Sequence, residues 1–416
     1  MSLRNGSTGN AVKTGQASLK QSARKPKKQS KWGARSDLSP VGRWFWEIDR
    51  VLLLLVAILI AIGLIAVAAA SPAAAERLSG PNLQYPPLRF FFQQAMWLGV
   101  AIPIMIAISM IPVDIARRLA LVGAALCTVA LMLVPIIGME KNGSMRWIDF
   151  KITAVQPSEF LKPLYVVAIA WLLSLKRKDP GLPMVTISAL ITGVIAFALM
   201  RQPNLGETVI FAATFVALLT LSGARMKYLY MLAGSGLGAI ILAYFFYPVA
   251  TQRINGFLFG EGNNDQVDNA LETMVSGGLF GLGPGAGTRK FDLPEPHTDY
   301  IFSVIGEEFG MIACLAIAIL YLAIIARVLI RMLTEESQFV ILAAGGLVTQ
   351  IGFQAIINMM VNVHLLPSKG MTLPFISYGG SSMIALSVGF GLLLAFTRRN
   401  PFFQPSPYVV KWKVGE

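Results

Sequence analysis

The 416-residue chain has few of the residues that form disulfide crosslinks or bind metals, since it contains only two cysteines and two histidines. Cys127 and Cys314 each lie within an apolar run, which is typical of small buried side chains rather than of a disulfide framework. Two histidines are too few for a metal site built on imidazoles. Charged residues account for 14% of the chain, against roughly a quarter in average proteins. This composition excludes a disordered chain, a disulfide-stapled secreted module and, despite a net charge of +13, a nucleic-acid-binding domain.

Apolar residues are abundant and occur in long runs. Hydrophobic residues make up 55% of the chain, more than a soluble domain could bury. A transmembrane helix needs about 20 predominantly apolar residues. We therefore predict an all-α polytopic membrane protein with ten transmembrane helices. The predicted spans are 51–70, 90–111, 117–137, 160–175, 183–200, 207–222, 227–247, 301–332, 338–362 and 375–396.

The distribution of polar residues divides the chain into three parts. Residues 1–45 are predicted to be a disordered basic cytoplasmic tail, because their composition cannot bury enough apolar surface to fold. This tail either acts as a topology signal with weak contact to anionic lipid, or binds a partner. Residues 46–397 are predicted to form the membrane domain, and residues 398–416 a cytoplasmic C-terminal tail. No secretory signal peptide is evident.

The placement of lysine and arginine predicts the orientation. With both termini in the cytoplasm, 24 basic residues fall on the cytoplasmic side and 10 outside, while Lys162 lies within a span. Every short cytoplasmic loop then carries at least two basic residues, as the positive-inside rule requires. This orientation makes residues 248–300 a large extracytoplasmic loop between the seventh and eighth helices. A long loop inside a compact fold is usually functional.

The loop at 248–300 carries a string of glycines. They are Gly277, Gly278, Gly281, Gly283, Gly285 and Gly287. The string lacks the Lys-Ser/Thr pair and the strand–turn–helix context of a P-loop. Two interpretations stay open: close backbone approach or a re-entrant turn, or a loop whose N–H groups wrap a pyrophosphate.

Charged and polar residues at the outer ends of the predicted spans indicate a functional site, because charge near the bilayer interior is costly. Glu159 and Lys162 lie one turn apart and could form an i,i+3 pair, either as a structural salt bridge or as part of a site. Further residues on the same side are Arg146, Arg201, Gln202, Glu207, Asp299, Glu307, Glu308 and Lys369. Their shared sidedness predicts that they converge on one outward-facing polar cavity.

This set provides cations to hold an anion and a carboxylate to accept a proton. A glycosyl pyrophosphate leaves as a stable anion, so its transfer needs one general base together with Lys, Arg or a metal ion to counter the charge. Asp299 is the candidate base, because the segment Pro294–Tyr300 delivers its carboxylate to the membrane surface beside an aromatic ring.

Three stretches of sequence resemble the signature motifs of the SEDS family (shape, elongation, division and sporulation). They are Gln156-Pro157-Ser158-Glu159-Phe160; Pro294–Tyr300 continuing to Gly306-Glu307-Glu308; and Lys369-Gly370-Met371-Thr372-Leu373-Pro374 with Ser377-Tyr378-Gly379-Gly380-Ser381-Ser382. The resemblance covers nearly the whole membrane region, in order. The long basic tail is more similar to the FtsW division branch than to the RodA elongation branch.

The resemblance implies a bacterial inner-membrane peptidoglycan glycosyltransferase that polymerises lipid II at the division septum. It implies a class B penicillin-binding protein, the transpeptidase, as partner, together with other membrane proteins of the division complex. The family's essential acid and lysine match Asp299 and Lys369, the predicted catalytic residues. The predicted substrate-binding residues are Arg146, Ser158, Glu159, Lys162, Gln202, His297 and Ser377. No closed set of metal ligands is visible, although a divalent cation (Mg²⁺ or Mn²⁺) could share in countering the pyrophosphate charge.

Two other functions would use the same residues differently. A lipid II flippase would bind the headgroup in this cavity without bond chemistry, but the internal repeats typical of transporters are not evident. A non-catalytic scaffold of the division complex would work mainly through the basic tail, and it leaves the charges on the outer side unexplained.

Overall fold

The protein is described here by a computed structural model. It covers residues 40–399 except 81–82, 142–143, 150, 152–153, 180, 247–250, 252–254, 256–264 and 368–369. The chain divides into two units, residues 1–43 and 44–416. The first unit contributes only the start of one helix to the described residues, so most of the predicted basic tail lies outside them. The second unit holds the long apolar helices and the candidate site.

Helices dominate the described residues. In chain order they are α1 (Pro40–Glu47), α2 (Arg50–Leu78), α3 (Arg89–Ser109), α4 (Val113–Ile137), α5 (Pro157–Lys178), α6 (Met184–Met200), α7 (Leu205–Leu221), α8 (Met226–Phe246), α9 (Asp265–Ser276), α10 (Ile301–Met332), α11 (Gln338–Asn362) and α12 (Gly380–Thr397). Seven of these, α2 to α5 and α10 to α12, are long and apolar enough to cross a bilayer, and α6 and α7 are shorter apolar helices. The prediction of a helical polytopic membrane protein is therefore confirmed.

Two local features differ from the sequence prediction. A three-stranded antiparallel sheet of β1 (Met139–Lys141), β2 (Ser144–Asp149) and β3 (Ala154–Val155) connects α4 to α5, so the fold is not purely helical. Such short strands are missed because they contain no long apolar run. The last predicted span also begins too early: residues 374–379 form turns, and α12 starts at Gly380. Phe375 and Ile376 are buried in those turns, and hydropathy cannot distinguish a buried turn from a helix.

Asp49 joins α2 to α10 at the end of the bundle predicted to be cytoplasmic. Its carboxylate caps α2 by accepting hydrogen bonds from Val51 N (3.1 Å) and Leu52 N (3.2 Å). It also pairs with Arg327 Nε (2.9 Å) and Arg331 Nη1 (2.8 Å) of α10. Burial raises the pKa of the Asp49 carboxyl, but the two guanidinium groups and the hydrogen bond from Leu52 outweigh burial, so the pKa lies below its ordinary value.

α10 is broken at Gly310, where φ is +84° and ψ is 173°. The residues 278–283 lie against this break and satisfy its backbone groups. The hydrogen bonds run from Leu282 N to Glu307 O (2.9 Å), Gly283 N to Glu308 O (3.0 Å), Met311 N to Gly278 O (3.0 Å) and Ile312 N to Leu279 O (3.3 Å). A Cβ on Gly281, whose φ is +83°, would overlap Glu308 O. Close backbone approach therefore accounts for the glycine at position 281 of the string.

The side chains of Glu307 and Glu308 hold the segment that leads from this glycine turn to Asp299. Glu307 accepts hydrogen bonds from the backbone N–H groups of Arg289 (2.7 Å) and Lys290 (3.0 Å), which lie in a short 3₁₀ helix. Glu308 forms a fully buried ion pair with Lys290. Because both acids have partners within the fold, the described structure gives them a structural role instead of a place in the cavity.

Candidate active site

A cavity with a water-accessible volume of about 770 Å³ lies at the end of the bundle that is predicted to be extracytoplasmic. It is formed by α5, α7, α11, strand β2 and the segments 294–300 and 370–382. Its charged lining residues are Arg77, Arg146, Glu159, Lys162, Glu207, Glu295 and Asp299. Trp97, Trp147, Tyr300 and Tyr378 add aromatic surface. The structure thus brings charges from separate parts of the sequence into one polar cavity.

Asp299 is half-buried in the cavity wall, two residues before α10 begins at Ile301. Its backbone carbonyl accepts hydrogen bonds from Asn358 Nδ2 (2.9 Å) and Asn362 Nδ2 (3.1 Å) of α11. Burial raises the pKa of the Asp299 carboxyl to about 7, the negative charge of Glu295 adds to the rise, and the positive charge of Arg146 opposes it. A carboxyl with this pKa is suited to accept a proton near neutral pH.

Lys162 lies between two carboxylates on the cavity wall. Its Nζ is 2.8 Å from Glu159 Oε1 on the same helix and 3.6 Å from Glu207 Oε1 on α7. Gln354 Oε1 of α11 lies 3.5 Å from the same ammonium, and Gln156 donates to Glu207 (3.2 Å). Because one cation faces two anions, this cluster carries no surplus positive charge toward the cavity.

Arg146 carries positive charge to the cavity from strand β2. Its guanidinium donates to the backbone carbonyls of Gln202 (3.2 Å) and Pro203 (2.5 Å), at the turn between α6 and α7. These two hydrogen bonds to backbone carbonyls orient the guanidinium. Arg77 is a second cavity cation, and it donates to the backbone carbonyl of Leu293 (3.1 Å).

Four predicted substrate-binding residues do not line the cavity. Ser158 accepts from Gln156 Nε2 (3.0 Å), and Gln202 Nε2 donates to Leu131 O (2.7 Å). The other two, His297 and Ser377, are buried within the 294–300 and 370–382 segments themselves. His297 contacts the rings of Phe90 (4.3 Å between centroids) and Tyr378 (5.3 Å), and Ser377 Oγ donates to Thr298 O (2.6 Å). These buried side chains support the residues that form the wall. Lys369 lies outside the described residues, so its position stays a prediction.

The sequence analysis missed a polar stripe on α11. Gln350, Gln354, Asn358 and Asn362 recur at every fourth position, so they share one face of an otherwise apolar helix. Three of them contact the site: Gln354 and Asn358 bind the segment that follows Lys369, and Asn358 and Asn362 bind Asp299. Amides at a constant spacing of four within a predicted span are a sequence signal that could have identified them.

The acidic side chains of the cavity determine whether a divalent cation can bind there. Within the described part of the chain, no three His, Cys, Asp or Glu side chains are placed to hold a metal ion together. Glu295 and Asp299 nevertheless line the same cavity, and the negative charge of Glu295 raises the pKa of the Asp299 carboxyl. Mg²⁺ is commonly bound by one or two carboxylates together with substrate phosphates, so Glu295 fits that mode while Asp299 keeps its role as the candidate base.

These features define a class of protein, the helical membrane proteins with a polar, charge-lined cavity at one end of the bundle. The chain belongs to the cell cycle protein family that groups FtsW, RodA and SpoVE, whose family model matches residues 49–401.

Curated relatives and solved structures agree with this assignment. The chain is 36% identical over 372 residues to a probable peptidoglycan glycosyltransferase FtsW of Caulobacter vibrioides, covering 88% of this chain and 94% of that protein. It is 31% identical to stage V sporulation protein E of Bacillus subtilis, covering 85% and 98%. The rod shape determining protein RodA of Thermus thermophilus superposes with a TM-score of 0.62 at 25% identity over 84% of this chain and 96% of that one. A chain of a peptidoglycan synthase complex matches the fold with a TM-score of 0.68 at 24% identity, covering 84% and 97%.

Proposed function

We propose that this chain is a peptidoglycan glycosyltransferase of the FtsW type that polymerises lipid II into glycan strands during septal cell-wall synthesis. The observation that carries the proposal is the placement of Asp299, whose carboxyl has a pKa of about 7, on a cavity that also presents Arg146. Relatives that share about a third of its residues over most of both chains are named as probable peptidoglycan glycosyltransferases.

The proposed reaction is a single displacement at the anomeric carbon of the donor sugar. The Asp299 carboxylate accepts the proton of the acceptor hydroxyl, and the acceptor oxygen forms the new bond to the anomeric carbon. The bond from that carbon to the pyrophosphate oxygen breaks, and its electron pair leaves with the undecaprenyl pyrophosphate. Configuration at the anomeric carbon is inverted.

The growing charge on the leaving pyrophosphate is countered by Arg146 and, in our proposal, by Lys369. Fixed cations aimed at a developing negative charge stabilise the transition state more than the bound substrate. A divalent cation held by Glu295 together with the substrate phosphates would supply further charge stabilisation and leave Asp299 as the base. The Glu159–Lys162–Glu207 cluster, with its excess of hydrogen-bond acceptors, is suited to sugar hydroxyl and amide groups.

The membrane arrangement completes the proposal. Ten spans, both termini in the cytoplasm and the 248–300 segment outside would place the cavity where the lipid II headgroup lies after translocation. The proposed location is the inner membrane at the division septum, with a class B penicillin-binding protein to crosslink the product. The likeness to a chain of a synthase complex that coordinates polymerization and crosslinking supports this pairing.

The direct test uses the purified full-length protein, with and without the partner transpeptidase, on fluorescently labelled lipid II. Formation of long glycan strands that a muramidase digests supports the proposal. Lipid II transfer across vesicle membranes without polymer would support a flippase instead. Absence of both, with partner present, would leave the scaffold function.

A further inference from the structure

The side-chain amide of Asn358 binds two separate segments of the candidate active site. Its Nδ2 donates one hydrogen bond to the backbone carbonyl of Asp299 (2.9 Å) and another to that of Met371 (2.6 Å). An amide NH₂ group has two hydrogens, so both are used, and the residue is only 2% exposed. The two carbonyls belong to segments that are far apart in sequence.

The two bridged segments are the ones that carry the predicted catalytic residues. Asp299 is the candidate base, and Met371 lies two residues after Lys369. Gly370, between Lys369 and Met371 in the sequence, has a φ of +59°, and a Cβ placed on it would lie 3.4 Å from Asp299 Oδ2. The backbone at Gly370 therefore approaches the Asp299 carboxylate. The two hydrogen bonds of Asn358 hold the segment of Gly370 and the segment of Asp299 together.

Neighbouring amides of α11 extend this connection without duplicating it. Asn362 Nδ2 donates to the carbonyl of Asp299 (3.1 Å), while its Oδ1 accepts from Ser303 N (3.1 Å). Gln354 Nε2 donates to the carbonyl of Thr372 (3.0 Å). Asn362 thus binds only the Asp299 side, and Gln354 only the segment after Lys369. Among the described residues of this stripe, Asn358 alone reaches both.

We propose that Asn358 is a positioning residue that fixes the distance between the general base and the segment of the leaving-group lysine. The proposal rests on the proposed function, because it assigns a catalytic consequence to the bridge. Transfer requires the acceptor hydroxyl at the base and the pyrophosphate at the cation in one geometry, and a misplacement of about 1 Å can cost on the order of 100-fold in rate. Asn358 is not among the lining residues of the large cavity, and it acts through the two backbone carbonyls.

Two substitutions test the bridge in the full-length protein. Asn358→Leu keeps a similar volume and removes both hydrogen bonds. Asn358→Asp keeps the shape but turns an acceptor toward two carbonyl oxygens, so it repels both segments. Thr349→Val is the matched control, because Thr349 lies on the same helix and donates only within it, to Gly345 O (2.7 Å). If Asn358→Leu does not fold, Asn358→Ser retains one donor for the same comparison.

The first readout separates positioning from binding. We expect Asn358→Leu and Asn358→Asp to lower the kcat for lipid II polymerisation on the order of 100-fold, with the lipid II affinity changed less than about threefold. Thr349→Val should match the unmodified protein. Rates are normalised to the folded fraction from size-exclusion chromatography, and a normal kcat per folded molecule would overturn the positioning role.

The second readout does not depend on activity. Hydrogen–deuterium exchange should accelerate in peptides covering 294–302 and 370–377 of Asn358→Leu, and stay unchanged in Thr349→Val. Unchanged exchange in both segments would show that Asn358 does not hold them, and the proposal would be rejected. If the unmodified protein makes no polymer, the proposed function fails, whereas accelerated exchange would still establish the bridge.

Discussion

The ammonium of Lys162 lies 2.8 Å from the carboxylate of Glu159, one turn earlier on α5. The i,i+3 pair that the spacing predicted is therefore present, and both residues line the cavity. Glu207, at 3.6 Å from the same ammonium, adds a second carboxylate from α7. The cavity thus has an acidic side at this cluster and a basic side at Arg146. We expect the pyrophosphate of a substrate to lie toward Arg146 and the sugar toward Glu159.

Replacing the candidate base should abolish polymerisation. Asp299→Asn keeps the shape of the side chain and one acceptor oxygen, but the amide cannot take a proton from the acceptor hydroxyl, so turnover should fall by at least about 1000-fold. Expression and membrane insertion should stay near those of the unmodified protein. Glu272→Gln, which replaces an exposed acid of α9, is the control and should remain active. Substantial polymer from purified Asp299→Asn would rule out the general-base role.

The polymerisation rate should rise with pH through about 7. The base acts in its ionised form, and the pKa of the Asp299 carboxyl is raised to about 7, so the rate at pH 6 should be roughly a tenth of the plateau. The neighbours should move this inflection in opposite directions. Glu295→Gln removes a charge that raises the pKa and should shift it lower, whereas Arg146→Gln should shift it higher. A pH-independent rate between 5.5 and 8.5 would contradict the assignment.

Lys369 should matter more for turnover than for binding. In a transferase, negative charge grows on the leaving pyrophosphate, so Lys369→Gln should lower the single-turnover rate on the order of 100-fold while weakening lipid II binding much less. In a flippase no such charge develops, and the substitution would act mainly on affinity. Binding and single turnover are measured on the same preparation. Equal losses in both would remove Lys369 from the catalytic residues.

The proposed orientation places α9 outside the cytoplasm. In a variant with Cys127 and Cys314 replaced by alanine, Asp265→Cys at the start of α9 should react with a membrane-impermeant maleimide in spheroplasts. A cysteine in place of Arg177, near the end of α5 that is predicted to be cytoplasmic, should react only after permeabilisation. The reverse pattern would invert the topology derived from the basic residues.

Loss of the Asp49 charge should destabilise the protein without touching the cavity. Asp49→Asn still caps α2, but it leaves Arg331, which is largely buried, without its carboxylate. We expect a loss on the order of 2–3 kcal/mol, somewhat below the usual cost of breaking a buried pair because Arg327 is partly exposed. Asp114→Asn, which breaks an exposed pair with Arg117, should cost less than about 1 kcal/mol. Thermal unfolding in detergent provides the comparison, and equal melting temperatures would refute the linkage.

Two features could be predicted from the sequence because they depend on composition along a helix. They are the positions of the apolar helices and the end of the bundle at which charged residues gather. The apolar runs predicted helices close to those observed, and the outer position of Arg146, Glu159 and Asp299 predicted that they would share a cavity. Motif membership, by contrast, does not reveal which way a side chain points. His297 and Ser377 sit in motifs, yet they are buried against the protein's own rings and backbone. That direction is set by tertiary packing, which sequence patterns do not contain.

The break in α10 has a consequence for how the protein is made. A span entering the bilayer with open backbone groups at Gly310 is costly unless another segment supplies the partners. Those partners come from residues 278–283, which are synthesised earlier and, in the proposed orientation, cross the membrane before α10 is inserted. Residues 278–283 therefore cannot form these hydrogen bonds until α10 has been synthesised and inserted, and the two segments fold against each other at that point. A deletion in this turn would then appear as failed membrane integration of α10, followed by proteolysis, before any effect on wall synthesis could be measured.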